Sequence, residues 1–302
     1  MTGVQATLID GKMYAAQVLV RVQREVQYLK QNHDVVPGLA VVMVGDNEAS
    51  KIYVNLKVKR AAEVGITSYL HRLDANTSEW QLIELLEELN AQQHVHGILL
   101  QLPLPPHIDT FKALNTIHYK KDVDCFTIHN VGLLHSWKPI LEPCTPQGIM
   151  ILLKNTLEDF NGKKAVVIGR SIVVGRPIAA MLLRENCSVT ILHSYSHNID
   201  TECASANILI TAVGHPSLVK KEWVKPGACV IDVGTSKVDG KICGDVDFAE
   251  VSKIPCYITP VPGGVGPMTV ACLLSNTIKA LCHQHNIALP EIQLPSRLVP
   301  EK

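Results

Sequence analysis

Apolar residues recur at three- and four-residue intervals over residues 11–29 and 50–64, whereas 38–44 (GLAVVMV) and 97–102 (GILLQL) are short, almost unbroken apolar runs. The first pattern lines one face of a helix, and the second is that of a strand covered on both sides. Gly45, Asp46 and Asn47 end the first strand, and PLPP at 103–106 ends the second. Strands and helices in alternation predict a parallel sheet with crossover helices.

A candidate domain boundary, EPCTPQG at 142–148, is followed by a second set of the same kind. Residues 165–168 read as a strand that runs into GRSIVVGRP, where Pro177 suits the first turn of a helix with apolar positions 178, 181 and 182. Further strands are expected at 189–192, 206–213 and 228–233, and a last helix from 267 to about 285. The chain has 302 residues, enough for two cores and a cleft. Residues from about Pro290 onward are expected to be loosely held.

Composition narrows the class. The chain is 47% hydrophobic and 19% charged, with 28 basic and 28 acidic residues, a balance without the basic surplus of a nucleic-acid binder. No apolar run approaches the roughly 20 residues needed to span a bilayer, and the start resembles neither a secretory nor an arginine-rich targeting segment, so a cytoplasmic protein with no membrane partner is expected. Nine cysteines without a CxxC pair read as reduced, buried small hydrophobes. His94 and His96 alone make an incomplete metal site, a strand edge explains them equally, and no metal is expected.

A strand, a glycine loop and a helix in succession can hold a pyrophosphate on backbone N–H groups. Here Gly169, Arg170, Ser171, Val174 and Gly175 supply the loop, although it is neither GxGxxG nor a phosphate-loop ATPase motif, and a plain strand-to-helix turn remains open. The next strand ends in His193 and Ser194 rather than in an acidic residue. With Arg170, a hydroxyl and a guanidinium suit a 2′-phosphate, which favours NADP over NAD; ordinary solvated loop residues are the alternative.

On the helix over 50–64, Tyr53 and Lys57 share a face, where a desolvated lysine can do acid–base chemistry or simply be solvated. Gln101 interrupts an apolar strand where its carboxyl end should open to a cleft, and is otherwise a buried structural amide. Asp122 and Asp124, in KKDVDCF, offer carboxylates for an amino-pyrimidine-like ring or for capping a turn. TPVPGGVGPMT at 259–269 has three prolines, three glycines and no charge, which describes a stiff loop that brings bare backbone against a flat ligand.

VGDNEASKIYVNLKVK (44–59), VHGILLQLPLP (95–105), KDVD (121–124), PCTPQG (143–148), VVIGRSIVVGRP (166–177) and ITPVPGGVGPMTV (258–270), in this order, resemble the bifunctional methylenetetrahydrofolate dehydrogenase/methenyltetrahydrofolate cyclohydrolase family over nearly the whole chain. The resemblance implies an α/β fold with two α/β domains flanking a cleft. The first is a folate-binding catalytic domain, 1–145, joined by the C-terminal helix at about 267–286. The second is a Rossmann-like, parallel-sheet NADP-binding domain, 146–266, with 287–302 as a tail. It also implies a homodimer acting on one-carbon derivatives of tetrahydrofolate. Lys57 would be the central catalytic lysine, Tyr53 would pack near the pterin, Gln101 would hold Lys57 and water, and Asp124 would anchor the pterin's amino edge. Leu102, Pro262, Gly263 and Gly264 would line the folate pocket, and Gly214 and Thr235 would join the cofactor contacts.

Two departures stand out. Cys125 replaces the family's usual glycine after KDVD, and Thr235-Ser236 replace Ile-Asn. A side chain at 125 would re-aim Asp124 if that position needs positive φ, and Thr235 would alter the nicotinamide wall. A folate- or nucleotide-binding relative with reduced or single activity is the alternative reading. An NADP oxidoreductase of the shikimate type would explain the second domain alone.

Overall fold

The structure, a computed structural model, describes residues 5–290. In chain order it contains β1 (Thr7–Leu8), α1 (Gly11–His33), β2 (Gly38–Val44), α2 (Glu48–Val64), β3 (Thr67–Leu73), α3 (Glu79–Ala91), β4 (Gly97–Leu100), α4 (Thr110–Thr116), α5 (Ile128–His135) and α6 (Cys144–Thr156). There follow β5 (Lys164–Ile168), α7 (Gly175–Arg184), β6 (Ser188–Leu192), α8 (Ile199–Ala204), β7 (Ile208–Thr211), β8 (Cys229–Asp232), β9 (Ser236–Val238), β10 (Lys241–Cys243), α9 (Phe248–Val251), β11 (Tyr257–Ile258) and α10 (Val265–His285). Residues 16–144 with 270–290 form one unit, and 5–15 with 145–269 the other.

In the first unit β2 lies between β3 and β4, with both pairings parallel. All seven residues of β2 are buried, as an unbroken apolar run requires. On one face Ala40, Val42 and Val44 pack with Ile98 and Leu100 of β4 and with Leu82, Leu86 and Leu89 of α3, so truncating any of these leucines to alanine costs about 2–5 kcal/mol. A capping box starts α3: Ser78 Oγ accepts from Gln81 N–H while Gln81 Oε1 accepts from Ser78 N–H. β4 stops at Leu100, two residues before the apolar run ends, and Gln101 N–H makes a last bond to Val42 O at 2.8 Å.

The second unit is built on a six-stranded sheet of order β1-β11-β8-β7-β5-β6, parallel throughout. Val166, Ile168, Leu209, Val230 and Ile258 bury one of its faces. The pairing of β1 with β11 places residues 5–15 here, although the sequence reading groups them with the first domain. β7 is shorter than the apolar pattern suggests because Val213 N–H turns away to the Asp245 side chain. From β5 the chain moves outward to β6 and then returns to β7 on the other side. That reversal is the switch point at which parallel sheets open a ligand crevice beyond their carboxyl ends. Among the described residues α10 alone is long and apolar enough to cross a membrane, and 78% of that stretch is buried within the protein, as in a core helix.

Candidate active site

In the first unit, Asn47 caps α2 by accepting Ser50 N–H, and the helix then carries Tyr53 and Lys57 one turn apart. Tyr53 is 39% exposed, whereas Lys57 is only 8% exposed, so this lysine is not a solvated surface group. Lys57 Nζ donates to Gln101 Oε1 at 3.0 Å, and Gln101 Nε2 donates to Leu102 O at 2.8 Å, which fixes both ends of the amide. Asp124 joins them. Burial raises its carboxyl above the usual carboxylate range, opposed by the Lys57 charge and by a hydrogen bond from the Cys144 thiol.

The turn that carries Asp124 is held from several sides. Buried Asp122 accepts Phe126 N–H (3.2 Å), Thr127 N–H (2.8 Å) and Asn130 Nδ2 (3.0 Å), so of the two aspartates this one takes the turn-capping role. Val123 O accepts from Asn276 Nδ2 at 2.8 Å and from the Cys144 thiol at 3.2 Å. Cys125 is buried and has φ +61°, so the position does require the left-handed conformation, and cysteine adopts it with its N–H on Asp122 O. The nearby groups that sequence reasoning missed are Cys144 and Asn276. Asn276 escapes the sequence because it reaches Val123, Glu142 and Cys144 from more than a hundred residues away, and Cys144, although inside PCTPQG, reads there as one more buried small hydrophobe.

His96, one half of the possible metal pair, has another task. It is buried and its Nδ1 accepts Gly38 N–H at 2.9 Å, while His94 packs edge-on against Tyr69. Among the described residues no group of three His, Cys, Asp or Glu side chains is placed to hold a metal ion, and all nine cysteines are free thiols.

In the second unit, the loop after β5 begins at Gly169, with φ +116°. A Cβ there would lie 2.6 Å from Ala212 O, and one at Gly175 would lie 2.1 Å from Gly169 O, so both glycines permit a backbone approach that a side chain would block. Ser171 Oγ accepts from Val174 N–H at 3.1 Å and Gly175 N–H at 3.3 Å, which shapes the entrance to α7. Val174 itself is buried. Arg170 is exposed with its guanidinium carbon 5.8 Å from the centre of the Tyr195 ring, and Tyr195 N–H reaches back to His193 Nδ1 at 3.2 Å. His193 N–H is bonded to Ser196 Oγ, and Ser194 is exposed beside it. Gly214, φ +66°, follows β7; its carbonyl accepts Ser236 Oγ at 3.1 Å, next to exposed Thr235.

The loop at 259–269 is as stiff as its composition suggests. Gly263 has φ +113° and its carbonyl accepts Lys12 N–H at 3.1 Å, while a Cβ on Gly11 would fall 1.8 Å from Gly264 O. Asp10 caps α1 by accepting the N–H groups of Lys12 and Met13. The Gly11-Lys12 turn and Pro262–Gly264 are thus interlocked within this unit.

A sheet with a switch-point crevice in one unit, and in the other a buried lysine hydrogen-bonded to an amide and close enough to a carboxylate to act on its charge, define a nucleotide-dependent enzyme of the two-unit α/β class. Two family models match: "Tetrahydrofolate dehydrogenase/cyclohydrolase, catalytic domain" over residues 9–124 and "Tetrahydrofolate dehydrogenase/cyclohydrolase, NAD(P)-binding domain" over residues 143–285. The chain is 48% identical over 289 residues to the bifunctional protein FolD 2 of Paracoccus denitrificans, an alignment that spans 94% of this chain and 96% of that one. Among solved structures it is similar to the bifunctional FolD methylenetetrahydrofolate dehydrogenase/cyclohydrolase of Campylobacter jejuni, with TM-score 0.89, 44% identity, and coverage of 92% of this chain and 99% of that one. The FolD of Trypanosoma brucei, solved with NADP cofactor and inhibitor, gives TM-score 0.89 and 39% identity over 93% of this chain and 99% of that one. The chain belongs to the tetrahydrofolate dehydrogenase/cyclohydrolase family.

Proposed function

We propose that this enzyme oxidises 5,10-methylenetetrahydrofolate with NADP and then hydrolyses the 5,10-methenyl product to 10-formyltetrahydrofolate, with Lys57 serving the hydrolytic step. The observation that carries the reading is the contact of buried Lys57 with Gln101 at 3.0 Å, with the Asp124 carboxylate beside it.

For the first reaction a bound NADP would supply the hydride-accepting chemistry toward the methylene carbon, and the chain's own work is binding, orientation and electrostatics. Asp124 suits the amino edge of the pterin because a carboxylate can accept two N–H donors, and Tyr53 offers a half-exposed ring to a flat heterocycle on the same helix face as Lys57. In the second reaction water adds to the cationic methenyl carbon and the adduct opens to the formyl product with release of one proton. Lys57 is the group placed to handle the proton of the water and of the adduct, and Gln101 aims it.

For the cofactor, the loop after β5 fits a pyrophosphate: Gly169 and Gly175 let backbone approach closely, and α7 begins there. Exposed Arg170, held over Tyr195 near His193 and Ser194, suits a 2′-phosphate and supports NADP over NAD. The reduced-activity alternative loses the support it drew from residue 125, because cysteine itself takes up the positive φ there. We assign the protein to the cytosol as a homodimer, the assembly that the resemblance implies.

The test is Lys57→Met. Hydrolysis of methenyltetrahydrofolate should fall by about two orders of magnitude or more while NADPH binding persists; hydrolysis at the parent rate would remove Lys57 from the mechanism.

A further inference from the structure

Two carboxylates in the second unit have no part in the chemistry above, yet both are buried at the crevice end of the sheet. Asp245 is fully buried and Asp232, the last residue of β8, is 3% exposed. Asp245 Oδ2 accepts Thr211 Oγ1 at 3.0 Å, Val213 N–H at 2.8 Å and Gly214 N–H at 3.3 Å, while Oδ1 accepts His215 N–H at 2.8 Å. Three successive N–H groups of the loop after β7 therefore converge on one carboxylate. Asp232 in turn holds Asp245: its Oδ1 accepts Asp245 N–H and Gly234 N–H, both at 3.0 Å, and its Oδ2 accepts Val246 N–H at 2.9 Å.

The pair is interlocked with two glycines. A Cβ on Gly234 would lie 2.1 Å from Asp245 Oδ1, and one on Gly244 would lie 2.0 Å from Asp232 Oδ2. Each carboxylate thus fills the space that a side chain on the opposite strand end would need. Holding two carboxylates together out of water is costly: burial first, and the neighbouring Asp245 charge as well, push the Asp232 carboxyl up to about 6 against the N–H donors that pull it down. A purely structural turn is closed more cheaply by glycine and asparagine.

We propose that Asp245, braced by Asp232, is a positioning residue for the dinucleotide, fixing the loop at 213–215 with its three N–H groups turned inward onto the carboxylate, so that this wall of the crevice is rigid and presents no anion-binding cradle. Phosphate recognition then falls to the loop after β5, whose Gly169 lies against Ala212 at the start of this same segment. The inference rests on the dinucleotide reading of the crevice.

The test compares the full-length protein with Asp245→Asn, Asp232→Asn and Gly234→Ala. The asparagine at 245 keeps the shape but turns an NH2 toward N–H donors, and the alanine presses on the carboxylate without removing its charge. Loss of charge-assisted hydrogen bonds should weaken NADPH binding, measured by fluorescence, by about tenfold or more, and raise KM for NADP by a similar factor with a smaller change in kcat. KM for methylenetetrahydrofolate should stay within about twofold, a split that general loosening of the fold would not give. NADPH affinity within about twofold of the parent in a variant that melts cooperatively would overturn the proposal, as would failure of all three variants to fold, since the pair would then be merely structural. If the parent protein itself bound no NADPH, the dinucleotide reading would be at fault instead.

Discussion

Lys57 Nζ lies 3.0 Å from Gln101 Oε1, joining a helix residue to the residue just beyond a strand end, 44 positions apart in sequence. Because Gln101 Nε2 is occupied by Leu102 O, the amide oxygen is the end that faces the lysine. Gln101→Ala should leave Lys57 unaimed and lower the rate of methenyltetrahydrofolate hydrolysis by about ten- to a hundredfold, with a smaller loss of dehydrogenase rate. Equal losses in both reactions would mean that Gln101 serves binding alone.

At residue 125, where the resemblance implies a glycine, this chain's cysteine holds φ +61°. A side chain in the left-handed region costs about 1–2 kcal/mol relative to glycine. Since Cys125→Ala keeps that cost and Cys125→Gly removes it, urea unfolding should find the glycine variant more stable than the alanine variant by about 1 kcal/mol. The opposite order would show that side-chain packing at 125 outweighs the backbone term.

Much of the fold was legible because its strands are buried on both faces: 38–44 is β2 to the residue, and β5 and β6 begin within one residue of the patterns that predict them. β3 escapes the same reasoning. It is an edge strand in which Thr67, Leu70 and Arg72 are exposed, so neither an unbroken apolar run nor a strict alternation marks it. Of the candidate site residues only Gln101 stood out by itself, as an amide inside an apolar run; Lys57 and Asp124 drew their roles from the family resemblance, because a lysine on a helix and an aspartate in a turn are ordinary surface residues. Asp232 and Asp245 gave little sign, because their meaning lies in backbone N–H groups that the fold gathers from three separate segments.

His96 supplies a pH dependence. Its imidazole is pushed down to about 4, by burial first and then by the charges of His285, Lys121 and His94, and only the neutral ring can accept Gly38 N–H. A folded-state pKa below the ordinary 6.5 gives stability that is fully present above that value and is lost as the pH falls toward 4. The loss reaches about 3 kcal/mol at most. Histidine resonances followed by NMR should show His96 neutral down to about pH 5; titration near 6.5 in the folded protein would refute the assignment.

Cofactor choice should reside in Arg170. Arg170→Ala removes the guanidinium held over Tyr195 and should raise KM for NADP by about tenfold or more while changing that for NAD little. Equal effects on both nucleotides would remove the 2′-phosphate from its role.

Gly175 gives a steric check on the crevice. A Cβ there meets the Gly169 carbonyl at 2.1 Å, so Gly175→Ala must push the two ends of the loop apart. Binding of NADPH should weaken by at least about tenfold, whereas cofactor-free hydrolysis of methenyltetrahydrofolate should be affected far less. Unchanged NADPH affinity would place the pyrophosphate elsewhere.

The most direct test of the whole account is a spectrophotometric assay of the purified protein with 5,10-methylenetetrahydrofolate and NADP, with the products separated afterwards. The account predicts NADPH and 10-formyltetrahydrofolate in equal amounts, with only NADPH and methenyltetrahydrofolate accumulating from Lys57→Met. Absence of NADPH and of any methenyl or formyl product from the parent protein would contradict it.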